Sequence, residues 1–138
     1  MVKLQQFQNL SIIIPTLNEA SRLPLLFADL NTWPNSYDLI VVDGGSKDLT
    51  SSISKIQGAN VIKTQKQNRG HQLRIGASEA KGEWLLFLHA DSRLDPSWGN
   101  SLLKIMDNKT SKNSIWYFDF KIRKYNLEFR ILEIAVAI

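Results

Sequence analysis

The chain has 138 residues, 43% of them hydrophobic and 22% charged, which suits one folded domain with one core and excludes a disordered chain. Its net charge of +4 suits anionic ligands such as nucleotides, phospholipids or nucleic acid, although so small a surplus is common on ordinary surfaces. The absence of cysteine excludes a disulfide framework and thiolate chemistry and is compatible with a reducing cytosol.

The opening MVKLQQFQNLSIIIPT has too short an apolar run for a signal peptide. No stretch reaches the roughly 18 apolar residues that span a membrane, so a cytoplasmic protein is expected, with peripheral membrane contact left open. LSIIIPT reads as a β-branched strand buried on both faces. A helix is expected from about Asn18, with Leu23, Leu26, Phe27 and Leu30 on one face and Pro24 in its first turn. DLIVVD is a second buried strand. SKDLTSSISKIQ then opens a helix, Ser46 and Asp48 favouring its start and Leu49, Ile53 and Ile56 forming a stripe.

NVIKT reads as a third strand, and GHQLRIGASEAKG as a helix with Leu73, Ala77 and Ala80 on one side, ending near Gly82. EWLLFLHA is apolar at nearly every position, as a central fourth strand would be. DPSWGNSLLKIMDN offers a helix with Trp98, Leu102, Ile105 and Met106 on one face, and the four Trp residues all fall in core-like patterns. IWYFDFKIRKY changes to a period of two, as in a strand with one wetter face. The chain stops in LEFRILEIAVAI with Leu127, Ile131, Ile134 and Ile138 at helical spacing and no cap. The expectation is a C-terminal helix that docks on the core, on a second copy or on a partner chain, or a chain that is the front part of something longer.

With no repeat or linker, residues 1–138 read as a single domain. Four βα units in series call for a mainly parallel sheet with helices on both faces, and such sheets bind ligands at the carboxyl ends of their strands. The polar segments gather there: PTLNEA, DGGSKD and HADSRL follow strands, and NRGHQ opens a helix. Any one of them alone is ordinary turn chemistry, since Gly supplies positive φ and Ser or Asp caps. Four together point to a site.

The residue types suit a nucleotide. Asp43 can accept hydrogen bonds from a base or ribose, Gly44 and Gly45 allow close backbone approach, and Asn18 and Glu19 add polar groups beside them. Arg69 can pair with a diphosphate through its planar fork. Asp91 offers hard oxygens for Mg2+ or Mn2+, which would bridge diphosphate oxygens. No phosphate-loop or dinucleotide fingerprint occurs, and His71 and His89 lack metal-ligand spacing. The basic residues between Lys63 and Lys81 have no interleaved aromatics and read as solvated surface, not as a nucleic-acid face.

In this order, SIIIPTLNEA, LIVVDGGSKDLT and NRGHQLRIGASEAKGEWLLFLHADSRLDP resemble the motifs of the family 2 glycosyltransferases, with their GT-A fold. HADS in place of a D-x-D metal motif is similar to a small soluble bacterial branch of that family. The resemblance implies that Pro15, Thr16, Glu19 and Asp43 line a nucleotide pocket, that Arg69 and Gln72 lie near the nucleotide or its phosphates, and that Asp91 is the metal-linked carboxylate. His89 takes the first Asp position of the motif, with Ala90 between the two. It further implies an inverting transfer of sugar from a nucleoside-diphosphate-sugar to a glycan or lipid acceptor, assisted by Mn2+ or Mg2+. Family members continue past this chain into an acceptor part that carries the general base; Asp107 and Asp119 are later carboxylates that do not match it. A chain truncated after the donor-binding half is therefore expected, with a non-catalytic nucleotide-sugar-binding fragment, or half of a split enzyme, as the alternative. A sugar nucleotidyltransferase would want a Gly-rich loop where PTLNEA stands.

Overall fold

A computed structural model of the chain describes residues 9–121 and 130–137, with side chains described as far as residue 118. Alternating apolar runs and helical stripes produce strands β1 (Leu10–Thr16), β2 (Asp38–Asp43), β3 (Asn60–Lys63), β4 (Trp84–Phe87), β5 (Ile115–Lys121) and β6 (Arg130–Ala137). The helices are α1 (Leu23–Leu30), α2 (Thr50–Ile56), α3 (Arg69–Glu79) and α4 (Trp98–Asp107). The strands form one sheet in the order β3-β2-β1-β4-β6-β5. β1 pairs in parallel with both β2 and β4, β2 pairs in parallel with β3, and β6 runs antiparallel to both its neighbours.

The central strands are mostly apolar because both of their faces are covered. Ile12, Ile14, Leu39, Val41 and Leu86 pack on one side with Leu23, Leu26, Phe27 and Leu30 of α1 and Trp98 and Leu102 of α4. Ile13, Ile40, Val42 and Leu85 pack on the other with Leu73, Ile75 and Ala77 of α3. Ile12, Ile13, Ile14, Ile40, Val41 and Val42 are wholly enclosed; each such side chain contributes about 1.5–3 kcal/mol by leaving water. α3 lies so close to the sheet that a Cβ on Gly76 would meet Ile13 Cγ2 at 2.3 Å.

Several expectations from sequence are corrected. The C-terminal segment is a strand, not a helix: Arg130–Ala137 fills the edge of β4 and pairs along the whole of β5. Its Ile- and Val-rich run suits a strand, and pairing with two neighbours outweighs the helical spacing. A helical stripe through Ile131 and Ile134 therefore does not form, and an interface built on a C-terminal helix has no basis; Leu127 and Ile138 lie outside the described residues. On α2 the expected stripe fails, since Leu49 and Ile56 are 67% and 87% exposed while Thr50 and Ser54 are buried. The Thr50 hydroxyl accepts a hydrogen bond from Glu19 N, which turns that face inward.

α1 begins at Leu23, not Asn18, because Asn18, Glu19 and Ala20 are occupied in joining the next loop; Pro24 does lie in its first turn. α3 ends at Glu79, and Gly82 serves close packing instead of a cap: a Cβ there would sit 2.6 Å from Ser11 N. Of the four Trp residues, Trp33, Trp84 and Trp98 are buried, but Trp116 is 37% exposed on β5, which has β6 on one side only.

Candidate functional site

The carboxyl ends of β1 and β2 are laced together through Asp43, which is 1% exposed. Its carboxylate accepts hydrogen bonds from the Thr16 hydroxyl (3.2 Å), Ser46 N (3.1 Å), the Ser46 hydroxyl and the Ser51 hydroxyl (3.2 Å). Four donors match the capacity of a carboxylate, so its burial is compensated. Pro15 precedes Thr16 at a point where β4 has already ended, the last β1–β4 pair being Ile13 with Phe87. Its missing N–H therefore breaks no ladder bond.

The two loops leaving these strands hold each other. Asn18 adopts a left-handed φ of 54°, donates its N–H to Ser46 Oγ (2.8 Å) and accepts from Lys47 N at its side-chain oxygen (2.8 Å). Ala20 N donates to Asp48 (3.1 Å), whose carboxylate also accepts from Thr50 N (3.0 Å), the first residue of α2. Donation by Thr50 is the largest influence holding Asp48 below the usual carboxylate range. Glu19 reaches Arg22 at 3.1 Å. Gly45 has a φ of +100°, which no side chain adopts readily.

Gln72, expected near the nucleotide or its phosphates, sits beneath the carboxyl ends of β1 and β2. Buried on α3, it donates its amide to the carbonyls of Thr16 (3.0 Å) and Val42 (2.8 Å), and so bridges β1 and β2. A Cβ on Gly44 would lie 3.2 Å from that amide nitrogen. Gly44 is thus small because Gln72 passes beneath it, and its own N–H closes the gap by donating to Thr16 O (2.9 Å).

A second group stands beyond β3 and β4. Arg69 is the first residue of α3, exposed, behind the Asn68 cap whose side chain accepts from His71 N (2.9 Å). His89 and Asp91 follow β4, with Asp91 exposed, His89 half-buried and Ala90 buried between them. Burial lowers the pKa of His89 from 6.5, the positive charge of Arg69 lowers it further, and Asp91 partly opposes both. The imidazole is therefore neutral at pH 7. Arg69 and Asp91 therefore both lie within electrostatic reach of the His89 ring, although they come from different loops. His71 lies beside Arg74 on α3 (3.4 Å).

Among the described residues no group of three or more His, Cys, Asp or Glu is placed to hold a metal ion. A single exposed carboxylate at a strand end fits a Mg2+ or Mn2+ that takes its remaining ligands from a bound diphosphate and water, as such ions commonly do. Asp107, one of the later carboxylates, lines a groove of about 540 Å³ with Leu10, Trp84 and Glu83, at the amino ends of β1 and β4 and away from these groups. The side chain of Asp119 lies outside the described set.

Sequence reasoning missed Ser46 and Ser51 as partners of Asp43, and Asp29 and Arg93. The Arg93 guanidinium donates to Asp29 through Nε (2.8 Å) and Nη2 (3.1 Å). Their separation by 64 residues leaves no local signal; an Arg two positions after the candidate metal carboxylate was the one hint.

A parallel sheet with paired loops at its carboxyl edge, an aspartate buried between two strands and a carboxylate after the fourth parallel strand define an α/β domain with polar groups gathered at one edge of its sheet. The comparisons narrow this. A model of glycosyl transferase family 2 matches residues 11–130, and the chain belongs to that family. It is 34% identical over 95 residues to the 4,4'-diaponeurosporenoate glycosyltransferase of Staphylococcus haemolyticus, covering 64% of this chain and 25% of that protein. It is 32% identical over 123 residues to the dolichyl-phosphate beta-glucosyltransferase of Dictyostelium discoideum, covering 77% and 37%. Its fold is GT-A: the mannosyltransferase PcManGT of Pyrobaculum calidifontis, solved in complex with GDP-Man and Mn2+, superimposes with a TM-score of 0.66 at 20% identity, over 74% of this chain and 33% of that one. The chain thus spans about a quarter to two-fifths of the length of these proteins. No helix among the described residues is long and apolar enough to cross a membrane.

Proposed function

We propose that this chain is the donor-binding part of an inverting glycosyltransferase that takes sugar from a nucleoside-diphosphate-sugar with a divalent cation. The observation that supports it most directly is the placement of Arg69 at the start of α3 and of Asp91 just after β4, a cation and a carboxylate at the same carboxyl edge of the parallel sheet as the buried Asp43. The solved complex of PcManGT with GDP-Man and Mn2+ supports the same donor class and ion for a protein of this fold.

In this reading Pro15, Thr16, Asn18, Glu19, Asp43, Gly44 and Gly45 form the nucleotide side. Asp43 meets a base N–H by exchanging it for the Ser46 or Ser51 hydroxyl, so one buried acceptor trades one donor for another at small net cost. Arg69 pairs with phosphate oxygens through its guanidinium fork. Gln72 contributes by holding β1 and β2 at a fixed separation beneath the base. His89 and Ala90 lie along the sugar-diphosphate, the neutral imidazole able to donate or accept one hydrogen bond with a hydroxyl. Asp91 would hold the cation, which when bound supplies Lewis-acid stabilisation of the departing diphosphate. The acceptor, a glycan or lipid, and the general base that deprotonates it belong to the part of such enzymes beyond this chain.

Calorimetric titration of the chain with UDP and GDP, with and without Mn2+, tests the reading. Binding of at least one nucleotide that tightens with Mn2+ is expected; no binding of either under both conditions would overturn it.

A further inference from the structure

Residues 88–97 carry Asp91 from the end of β4 to the start of α4. Inside the segment, Ser92 N donates to His89 O (3.1 Å) and Ser97 closes on Asp95 through its N–H (2.8 Å) and hydroxyl (2.6 Å). Three further hydrogen bonds join the segment to α1, and one carboxylate accepts them all. Arg93 Nε and Nη2 reach Asp29 at 2.8 and 3.1 Å, and Leu94 N reaches it at 3.0 Å. Behind them Trp98 Nε1 donates to Thr32 Oγ1 (3.0 Å) and Asp29 O (3.3 Å), and the Trp98 ring stacks on Trp33 at 5.2 Å. Asp29 is therefore fixed on its own side before it takes the loop.

An exposed ion pair is ordinarily worth little, and the Arg93 side chain is 60% exposed. This one differs in geometry. The guanidinium engages both carboxylate oxygens, which fixes direction as well as distance, and the adjacent backbone N–H fixes the chain itself. The Arg93 fork dominates in holding the Asp29 carboxyl below the usual carboxylate range.

We propose that Asp29 and Arg93 are positioning residues for Asp91, a clamp from α1 that sets where the metal-linked carboxylate stands at the strand ends. The inference rests on the metal-linked reading of Asp91 given above. A site with one protein carboxylate has no second ligand to correct a displaced first one, so the groups that aim it carry much of its affinity. Asp29 touches neither nucleotide nor ion; it acts through the loop.

The test is calorimetry of UDP and GDP, with and without Mn2+, on the wild-type chain and on Asp91→Ala, Asp29→Asn, Arg93→Lys and Ser11→Ala. The Ser11 variant breaks a comparable clamp, to Asp38 at 2.9 Å, at the other end of the sheet. Wild type gains affinity with Mn2+ and Asp91→Ala loses that gain. Asp29→Asn and Arg93→Lys reduce the gain about tenfold and leave metal-free affinity unchanged, whereas Ser11→Ala keeps the full gain. Amide exchange across residues 91–94 quickens in both clamp variants. Full retention of the Mn2+ gain in both clamp variants overturns the proposal, and so does an equal fall in metal-free affinity, which would mean general loosening. A wild-type chain that binds nucleotide with no Mn2+ gain overturns the metal-linked reading itself, and the clamp with it.

Discussion

The Thr16 hydroxyl donates to the Asp43 carboxylate across 3.2 Å and so joins the last residues of two parallel strands that are register partners. Both are buried, and neither end of the bond is free to move alone. The bond makes the floor of the proposed nucleotide pocket part of the core. Asp43→Ala should then cost about 2–3 kcal/mol, because the Ser46 and Ser51 donors and Thr16 lose a buried acceptor together. Urea unfolding measures the stability and calorimetry measures UDP and GDP affinity; both should fall in this variant.

Gln72→Met separates two roles for this residue. If it bridges the strands, the variant leaves the Val42 carbonyl without this donor and lowers stability by about 1–2 kcal/mol, with weaker nucleotide binding as a consequence. If it touched phosphate alone, binding would fall and the urea midpoint would stay in place. The bonds to Thr16 and Val42 predict the first outcome.

Arg69→Ala should weaken UDP binding about tenfold, the loss expected for a charge-assisted pair with phosphate, and leave uridine binding unchanged. Equal losses for uridine and UDP would place Arg69 on the base instead. The same substitution removes a positive charge beside His89, so the histidine's pKa should rise, as NMR titration of the ring would show.

Most of the sheet was legible in the sequence because SIIIP, LIVV and WLLF each carry a continuous apolar run, the mark of strands covered on both faces. Asp43 and Asp91 were legible for the opposite reason, as charges set directly at the ends of such runs. What could not be read depended on partners distant in sequence. LEFRILEIAVAI carries both a helical and a strand period, and only the vacant edge of β4 and the length of β5 decide between them. The inward turn of Thr50 depends on Glu19, and the burial of Gln72 depends on two carbonyls from other elements. Polar residues that pack against backbone leave no periodic trace.

The Asp29–Arg93 pair also sets a pH dependence. The Arg93 guanidinium, with Leu94 N beside it, lowers the pKa of Asp29 below its ordinary 3.8, so between the lowered value and 3.8 the unfolded chain binds more protons and stability rises with pH. The contribution is fully present above 3.8 and is lost as pH falls through the lowered value. In urea titrations the difference between wild type and Asp29→Asn should be constant near neutrality and shrink only below 3.8. A difference that disappears well above that pH would contradict the geometry.

The central claim is that Asp91 links a divalent cation to a bound nucleoside diphosphate. Electron paramagnetic resonance of free Mn2+ tests it directly. Wild-type chain together with UDP or GDP should remove more free Mn2+ signal than chain or nucleotide alone, and Asp91→Ala, folded to the same urea midpoint, should remove no more than nucleotide alone. Equal removal of Mn2+ by Asp91→Ala and wild type would contradict the account.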